Sequence, residues 1–343
     1  MRVLIVKLSS LGDVVHALPV VADIRAAHPG ALIDWVVEPA FAPLLDRTTG
    51  VAKVIDCALR RWTRAGLWRP STLAEVRAFA ARLRRERYDA IVDLQGLTKS
   101  AVIARLARGT SFGLANRTDG ASHEPSARWL VSKAISVEPH SHALDRSREL
   151  VAAALGTRID TPPSFGLVPR ASPEAGRSRT IVLIHGTSRA DKLWPEASWI
   201  ELGRRLADEG WAVALPQAGS EEGRRARAIA AAIGGDSTVW PALELGAFID
   251  RLAPAAPLHP QEVQRCDQVQ QQRIGSARET AAGGAAHVGF AAGRAAATRA
   301  ALCTPFHAAH TAATVGTGSP STATCRPPLW RACGPVRHEV GKL

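Results

Sequence analysis

Short apolar runs alternate with helical hydrophobic patterns along the first 156 residues of the chain. The first run, residues 3–6, is uncharged and rich in β-branched side chains, as in a strand buried on both faces of a sheet. Helical spacing of apolar residues follows at residues 14–24. Further strand candidates lie at residues 31–37, 51–58, 88–94 and 111–115, and helix candidates at residues 73–87, 97–106 and 142–155, the last ending at Gly156. This alternation predicts a parallel sheet covered by helices, which is an α/β fold.

A second α/β pattern begins after residues 157–179, a stretch rich in Pro, Ser and Arg that has the composition of a linker. Strand candidates at residues 180–186 and 211–215 alternate there with helix candidates at residues 198–209 and 221–233. We therefore predict two α/β domains facing each other across a cleft, at residues 1–156 and 180–252.

The pattern changes again at residues 253–343. This stretch is rich in Ala, Gly, Thr, Arg and Gln, holds four acidic residues and lacks strand periodicity. The second domain is left with too few strands to complete its sheet. A shifted reading frame in a GC-rich gene would produce such a composition, and a naturally disordered tail is the competing explanation. The abrupt loss of patterning favours the frame shift.

Charge and composition narrow the class of protein. A net charge of +12 and a pI near 10.4 call for an anionic partner, which is a nucleic acid, a nucleotide or an acidic membrane surface. The arginines are spread along helix candidates such as residues 82–87 and 224–227, which is typical of solvated helix faces. A basic nucleic-acid-binding protein is therefore the weaker interpretation.

Targeting and redox signals point to the cytoplasm. The apolar run after Arg2 ends at Lys7, so it is too short for a secretory signal. Arg294 and Arg299 interrupt the Ala-rich stretch that most resembles a membrane span. None of the five cysteines forms a Cys-x-x-Cys pair, so neither a zinc site nor a disulfide framework is indicated.

Asp13 is the first candidate for chemistry. Residues 9–13 lie beyond the carboxyl end of the first strand candidate, where open α/β sheets bind their ligands. The alternative explanation is structural, because an acidic side chain in the first turn of a helix caps that helix. The spacing by itself leaves both explanations open.

A second candidate group follows the strand candidate at residues 180–186. Thr187, Ser188 and Lys192 supply hydroxyls and an ammonium group, and together with backbone N–H groups they can cradle a phosphate. The same residues also suit a solvated loop, and the spacing alone does not separate the two.

A third candidate group is basic. Arg60, Arg61 and Arg64 share a predicted loop with a tryptophan, and guanidinium groups bind carboxylates and phosphates in bidentate fashion. Arg117 and Arg146 are further candidates, although each by itself is also explained as an ordinary exposed arginine. His16 is interpreted as a packing or helix-surface histidine.

Four segments resemble motifs of the lipopolysaccharide heptosyltransferases, glycosyltransferase family 9, and most closely the heptosyltransferase I type. The resemblance covers about residues 1–252 and is specific because separate motifs occur in one chain. The segments are Lys7-Leu-Ser-Ser-Leu-Gly-Asp13, Asp93-Leu-Gln-Gly-Leu-Thr-Lys-Ser100, Ala143-Leu-Asp-Arg146 and His185-Gly-Thr-Ser-Arg-Ala-Asp-Lys192.

The resemblance implies a GT-B fold of two Rossmann-like domains, the second of them incomplete in this chain. Residues 1–156 would bind the acceptor, Kdo2-lipid A, and the domain at residues 180–252 the donor, ADP-heptose. Transfer would invert the anomeric carbon and need no metal or other cofactor. The enzyme would work at the cytoplasmic face of the inner membrane, in peripheral contact with its anionic surface and without nucleic acid.

The resemblance also implies roles for individual residues. Asp13 would be the base that takes the acceptor hydroxyl proton. The donor diphosphate would be held by Thr187, Ser188 and Lys192. Glu222 would bind the donor ribose, with Glu221 as the alternative, because the turn before them lacks the usual tryptophan and its spacing is altered. The acceptor would be bound by a mobile clamp and two further arginines: Arg60, Arg61, Arg64, Arg117 and Arg146.

One family motif is absent. The second domain of these enzymes carries an Asp-Ser-Gly-x-x-His segment that opens a helix onto the donor phosphates, and no such segment occurs here. Residues 284–287 keep the Gly-x-x-His spacing only by coincidence. We therefore expect weak or absent transfer by the chain as written.

Overall fold

The computed structural model of the chain describes residues 1–170, 179–187, 193–253 and 255. Its strands are β1 (Arg2–Val6), β2 (Leu32–Val37), β3 (Val51–Asp56), β4 (Arg87–Asp93), β5 (Arg108–Leu114), β6 (Lys133–Ile135), β7 (Thr180–Val182), β8 (Ala212–Leu215) and β9 (Thr238–Val239). Its helices are α1 (Leu11–Ala17), α2 (Pro19–Ala27), α3 (Ala42–Leu45), α4 (Leu59–Ala65), α5 (Pro70–Leu83), α6 (Thr98–Leu106), α7 (Ala143–Leu155), α8 (Glu196–Asp208), α9 (Ser220–Ile233) and α10 (Leu245–Leu252). Two 3-10 segments lie at Pro39–Phe41 and Pro125–Trp129.

The first sheet is parallel and has the strand order β3-β2-β1-β4-β5-β6. Alternate residues of β1 point to opposite sides, so Val3 and Ile5 join one buried cluster while Leu4 and Val6 join another. Helices α1, α2 and α7 cover the first side, and α5 and α6 cover the second. The predicted α/β fold is confirmed, because both faces of the sheet are buried.

The second sheet is also parallel and has the order β7-β8-β9. Helices α8 and α9 pack on one side of it around Trp199, Leu202 and Ile229. Trp240 and Phe248 pack on the other side. Three strands is the extent of this sheet within the described residues, and the segment after residue 255 lies outside them.

Helix α10 joins the two units. Its residues Leu245 and Ile249 pack against the core of the first unit, whereas Phe248 packs with the second. On the same helix, Asp250 accepts hydrogen bonds from Arg47 Nε at 2.8 Å and Arg47 Nη2 at 2.6 Å. These bonds lower the pKa of Asp250 to about 2, so the bridge between the units is ionic at neutral pH.

Element boundaries differ from the sequence prediction where proline and short elements intervene. The helical pattern at residues 14–24 is divided, because Pro19 occupies the first position of a new helix, α2. Helix α5 begins at Pro70 rather than at residue 73 for the same reason. Gly156 ends α7 with a left-handed φ of 65°, as predicted. Residues 165–168 of the predicted linker contact the first unit, where Phe165 is buried.

Within the residues that the structure describes, no helix combines the length and apolarity needed to cross a bilayer.

Candidate functional site

The site forms where the carboxyl ends of β1 and β4 meet. These strands are hydrogen-bonded neighbours, so the segments after Val6 and after Asp93 lie side by side. Lys7 Nζ donates to the Leu94 carbonyl at 3.0 Å, and Gln95 Nε2 donates to the Ser9 carbonyl at 2.8 Å. These cross-links hold the turn that leads into α1.

Asp13 is the third residue of α1, and its carboxylate faces this turn. The oxygen Oδ2 accepts from the Ser10 backbone N–H at 2.9 Å and from Ser10 Oγ at 2.7 Å. The capping explanation is therefore correct for one oxygen. Neither bond uses Oδ1, so capping does not occupy the whole carboxylate.

Two buried cations surround Asp13. Lys7 and Arg146 are each only 4% exposed, and both interact electrostatically with Asp13. Burial raises the pKa of Asp13, but the Lys7 charge and the Ser10 hydrogen bonds outweigh it, and the pKa ends below its ordinary value. Burial lowers the pKa values of Lys7 and Arg146 against the opposing effect of Asp13. Asp13 is thus a carboxylate at neutral pH, as a base must be.

Asp93 is a buried acid on the other side of Lys7. Burial raises its pKa to about 6, although the Gln95 backbone N–H and Ser100 Oγ both donate to it at 2.9 Å. The sequence pattern predicts no role for Lys7, Asp93 or Gln95, although all three lie in the segments that resemble family motifs. Their common signal is position, because each lies at or just after the end of a buried strand.

His16, on the same helix as Asp13, is partly buried and packs against a second histidine. The His16 ring lies edge-on to the His142 ring at 5.0 Å, and His142 Nδ1 accepts from the Leu144 N–H at the start of α7. Burial is the largest of the effects that lower the pKa of His16.

The prediction of a loop for the three clustered arginines was wrong. They lie on α4, whose apolar pattern is too short to be recognised because its one buried side chain is Trp62. Arg61 pairs with Glu75 through Nη1 at 3.0 Å and Nη2 at 2.5 Å. Arg60 and Arg64 are exposed, and the Arg60 backbone N–H donates to Glu38 at 3.0 Å. Arg61 is therefore already engaged within the protein.

Arg117 and Arg146 differ sharply. Arg117 is exposed, in agreement with the ordinary explanation. For Arg146 that explanation was wrong, since it is buried and its Nη1 donates to Thr118 Oγ1 at 2.9 Å. Only tertiary packing brings this residue of α7 close enough to interact electrostatically with Asp13 on α1.

The second unit places Glu222 beside the turn after β7. A Cβ atom added at Gly186 would collide with the Glu222 carboxylate, and Glu222 Oε2 accepts from the Ala218 N–H at 2.7 Å. Thr187 is exposed next to this contact, whereas Glu221 points to solvent. Ser188 and Lys192 lie outside the described residues.

His185 stabilises this turn. His185 is buried, and its Nε2 contacts the Pro216 carbonyl at 3.0 Å, which links the turn after β7 to the end of β8. Burial lowers the pKa of His185. Pro195 is the N-cap of α8. In the described part of the chain, no group of three or more His, Cys, Asp or Glu residues is placed to hold a metal ion.

We expect Lys7→Met to raise the pKa of Asp13, because the substitution removes the charge that contributes most to lowering it. Titration of the ¹³C carboxyl signal, assigned with Asp13→Asn, measures this directly and needs no turnover. Since a base works only when deprotonated, the Lys7→Met variant should lose transfer activity on acidification at a higher pH than the parent chain does. Lys53→Met on β3 is the control, and an unmoved Asp13 titration would contradict the electrostatic link.

The comparisons with known proteins agree with this architecture. Residues 76–257 match the family described as Glycosyltransferase family 9 (heptosyltransferase). The lipopolysaccharide heptosyltransferase 1 of Pseudomonas aeruginosa is 39% identical over 257 residues, covering 74% of this chain and 71% of that protein. The lipopolysaccharide heptosyltransferase 1 of Escherichia coli K12 is 40% identical over 236 residues, covering 67% and 72%.

Solved structures of the E. coli heptosyltransferase WaaC superpose on the chain. Those with ADP and with ADP-2-deoxy-2-fluoro heptose both give a TM-score of 0.67 at 37% identity and cover 74% of this chain, and 79% and 81% of the respective structures. The GT-B fold implied by the resemblance is thereby confirmed. With more than half of its length matched by the family and two relatives near 40% identity, the chain belongs to glycosyltransferase family 9, the heptosyltransferases.

Proposed function

We propose that this chain transfers L-glycero-D-manno-heptose from ADP-heptose to the Kdo region of Kdo2-lipid A in the lipopolysaccharide inner core, with inversion at the anomeric carbon. The observation that carries the proposal is the ionised Asp13 carboxylate at the carboxyl edge of the first sheet, in a chain whose relatives are named lipopolysaccharide heptosyltransferase 1. The sugar nucleotide in the E. coli structure supports the donor.

Asp13 acts as the general base. As the acceptor oxygen bonds to the anomeric carbon and ADP leaves, the hydroxyl proton passes to the carboxylate. Oδ1 takes this proton, because Oδ2 already accepts two bonds from Ser10. Lys7 keeps the carboxylate ionised until the acceptor arrives.

The donor is held by the domain at residues 180–252. Thr187, Ser188 and Lys192 contact the diphosphate, where hydroxyl, N–H and ammonium groups offset the charge that develops on the leaving group. Glu222 binds the ribose hydroxyls. Its contact with Gly186 supports the choice of Glu222 over Glu221.

The acceptor is held by residues 1–156, with residues 157–179 as the linker. Arg60, Arg64, Arg117 and Arg146 attract the carboxylates and phosphates of Kdo2-lipid A, and Arg61 joins them when its pair with Glu75 opens. The enzyme works in peripheral contact with the anionic cytoplasmic face of the inner membrane. The net charge of +12 supports that contact.

Calorimetry with ADP-heptose tests the donor site. We expect Lys192→Ala to weaken the complex about tenfold or more, because an ammonium bound to a diphosphate contributes at least about 1.5 kcal/mol. Lys133→Ala, on an exposed strand of the other unit, should bind as the parent chain does. Unchanged affinity in Lys192→Ala would contradict the phosphate role.

A second candidate function is an acceptor-binding protein without catalysis. The family match ends at residue 257, and the Asp-Ser-Gly-x-x-His segment is missing from the sequence. Such a remnant would bind Kdo2-lipid A and transfer nothing.

A further inference from the structure

A sharp corner joins α4 to α5. Gly66 ends α4 with a φ of 95°, a left-handed conformation that favours glycine. The Arg69 N–H donates to the Gly66 carbonyl at 3.3 Å, and Pro70 begins α5. Leu67 and Trp68 form the outer tip of this corner, and we refer to these two residues as the corner tip.

The corner is held firmly from inside. Trp62 of α4 is buried, and its ring packs against Phe79 of α5 with centroids 5.5 Å apart. Glu75 of α5 accepts from Trp62 Nε1 at 2.7 Å as well as from Arg61. Because these contacts join the two helices, they hold the corner tip in a fixed position.

The corner tip is strongly apolar and strongly exposed. Trp68 is 95% exposed and Leu67 is 47% exposed. Each of these two apolar side chains would gain free energy on leaving water, and the exposed corner tip leaves that gain unused. Tryptophan is enriched where an apolar phase meets water, as at a membrane surface.

Cationic side chains flank the corner tip. Arg64 precedes it on α4, Arg69 follows it directly, and both are exposed. An apolar tip between arginines fits the boundary between the headgroups and the acyl chains of an anionic bilayer. There the arginines can bind lipid phosphates while the Trp68 indole lies among the upper acyl chains. A protein partner could bury the apolar tip, but it would need acidic groups at matching positions to pair with the flanking arginines. An anionic bilayer supplies phosphates all over its surface.

We propose that Leu67 and Trp68 insert into the headgroup region of an anionic bilayer and dock the first unit on the membrane. This inference deepens the proposed function, since the acceptor of that function is itself a membrane lipid. Docking through α4 places the helix that carries Arg60 and Arg64 at the bilayer surface.

Sedimentation of the full chain with vesicles tests the docking. With phosphatidylethanolamine vesicles that contain phosphatidylglycerol, Trp68→Ala should lower the partition coefficient of the protein between membrane and water about tenfold. Trp129→Ala is the matched control, because Trp129 is also exposed, at 75%, but its ring lies 4.5 Å from the Arg128 guanidinium on a separate element. Equal binding by Trp68→Ala and the parent chain would overturn the proposal.

The charge component has its own experiment. Arg69→Gln should weaken binding to the anionic vesicles and have little effect on phosphatidylcholine vesicles, and high salt should reduce that difference. The same loss on both kinds of vesicle would contradict the role of charge.

A last measurement separates bilayer docking from contact with the acceptor. Trp68→Ala should bind a water-soluble acceptor, Kdo2-lipid A stripped of its fatty acids, as tightly as the parent chain does. Weakened binding of that acceptor together with unchanged vesicle binding would assign the tip to the acceptor and overturn docking. The vesicles contain neither donor nor acceptor, so a failure of heptose transfer leaves this result unaffected.

Discussion

Heptose transfer by the chain as written should be at least about a hundredfold slower than transfer by a version whose reading frame is restored after residue 252. The described part of the second sheet has three strands, and the family match stops at residue 257. The sequence lacks the Asp-Ser-Gly-x-x-His segment, which in the family opens a helix onto the donor diphosphate, and a helix N-terminus stabilises the charge of a leaving phosphate. Restoration should therefore recover both donor affinity and rate.

Sequencing the gene beyond this point is the first measurement. One of the alternative frames past codon 252 should encode Asp-Ser-Gly-x-x-His, and the corrected chain should then be assayed with ADP-heptose and Kdo2-lipid A. If no frame contains the motif, the residues after 252 are native and the non-catalytic candidate gains. Tight, salt-sensitive retention of the chain on DNA without selectivity for ADP-sugars would instead support a nucleic-acid-binding protein.

Asp13→Ala in the restored chain should lower the rate of transfer about a thousandfold while leaving ADP-heptose affinity unchanged. General base catalysis contributes rate enhancements of about 10²–10⁴, and Asp13 is the carboxylate that Lys7 and Ser10 keep ionised. The donor site proposed here uses residues of the other unit, so its affinity should not depend on Asp13. Single-turnover kinetics and calorimetry measure the two effects separately.

The controls for this substitution distinguish chemistry from capping. Asp13→Asn keeps an oxygen that can accept from Ser10, so it should retain the stability of α1 yet lose transfer as Asp13→Ala does. Asp160→Ala removes an exposed acid beyond α7 and should leave the rate unchanged. Substantial turnover in Asp13→Asn would remove the base assignment and leave Asp13 as a helix cap.

What can be predicted from the sequence depends on how far apart in the chain the interacting residues lie. The period of apolar residues located the longer strands and helices, because burial on a sheet or a helix face repeats along the chain itself. It missed α3, α4, β6, β9 and α10, where the elements are too short for a period to be counted. It also joined α1 to α2, because the apolar spacing continues across Pro19.

Within the site, too, some features follow from local sequence and others only from contacts between distant residues. The motif around Asp13 identified the acid from local order alone, but it did not decide between a cap and a base. That question depends on Lys7, whose ammonium is held by the Leu94 carbonyl of a neighbouring strand. Likewise, the contact of Glu222 with Gly186, which lies 36 residues away in the sequence, supports the proposal of Glu222 over Glu221 and cannot be seen in the local pattern.

The α/β fold, the order of its main elements and the acid at the end of the first strand can be predicted from the sequence, because these depend on residues close together in the chain. The charge state of Asp13, the burial of Arg146 beside it and the ion pair of Arg61 with Glu75 can be seen only in the folded chain. The physical reason is that a pKa depends on burial and on charges brought near by folding, and neither can be read from the local order of residues.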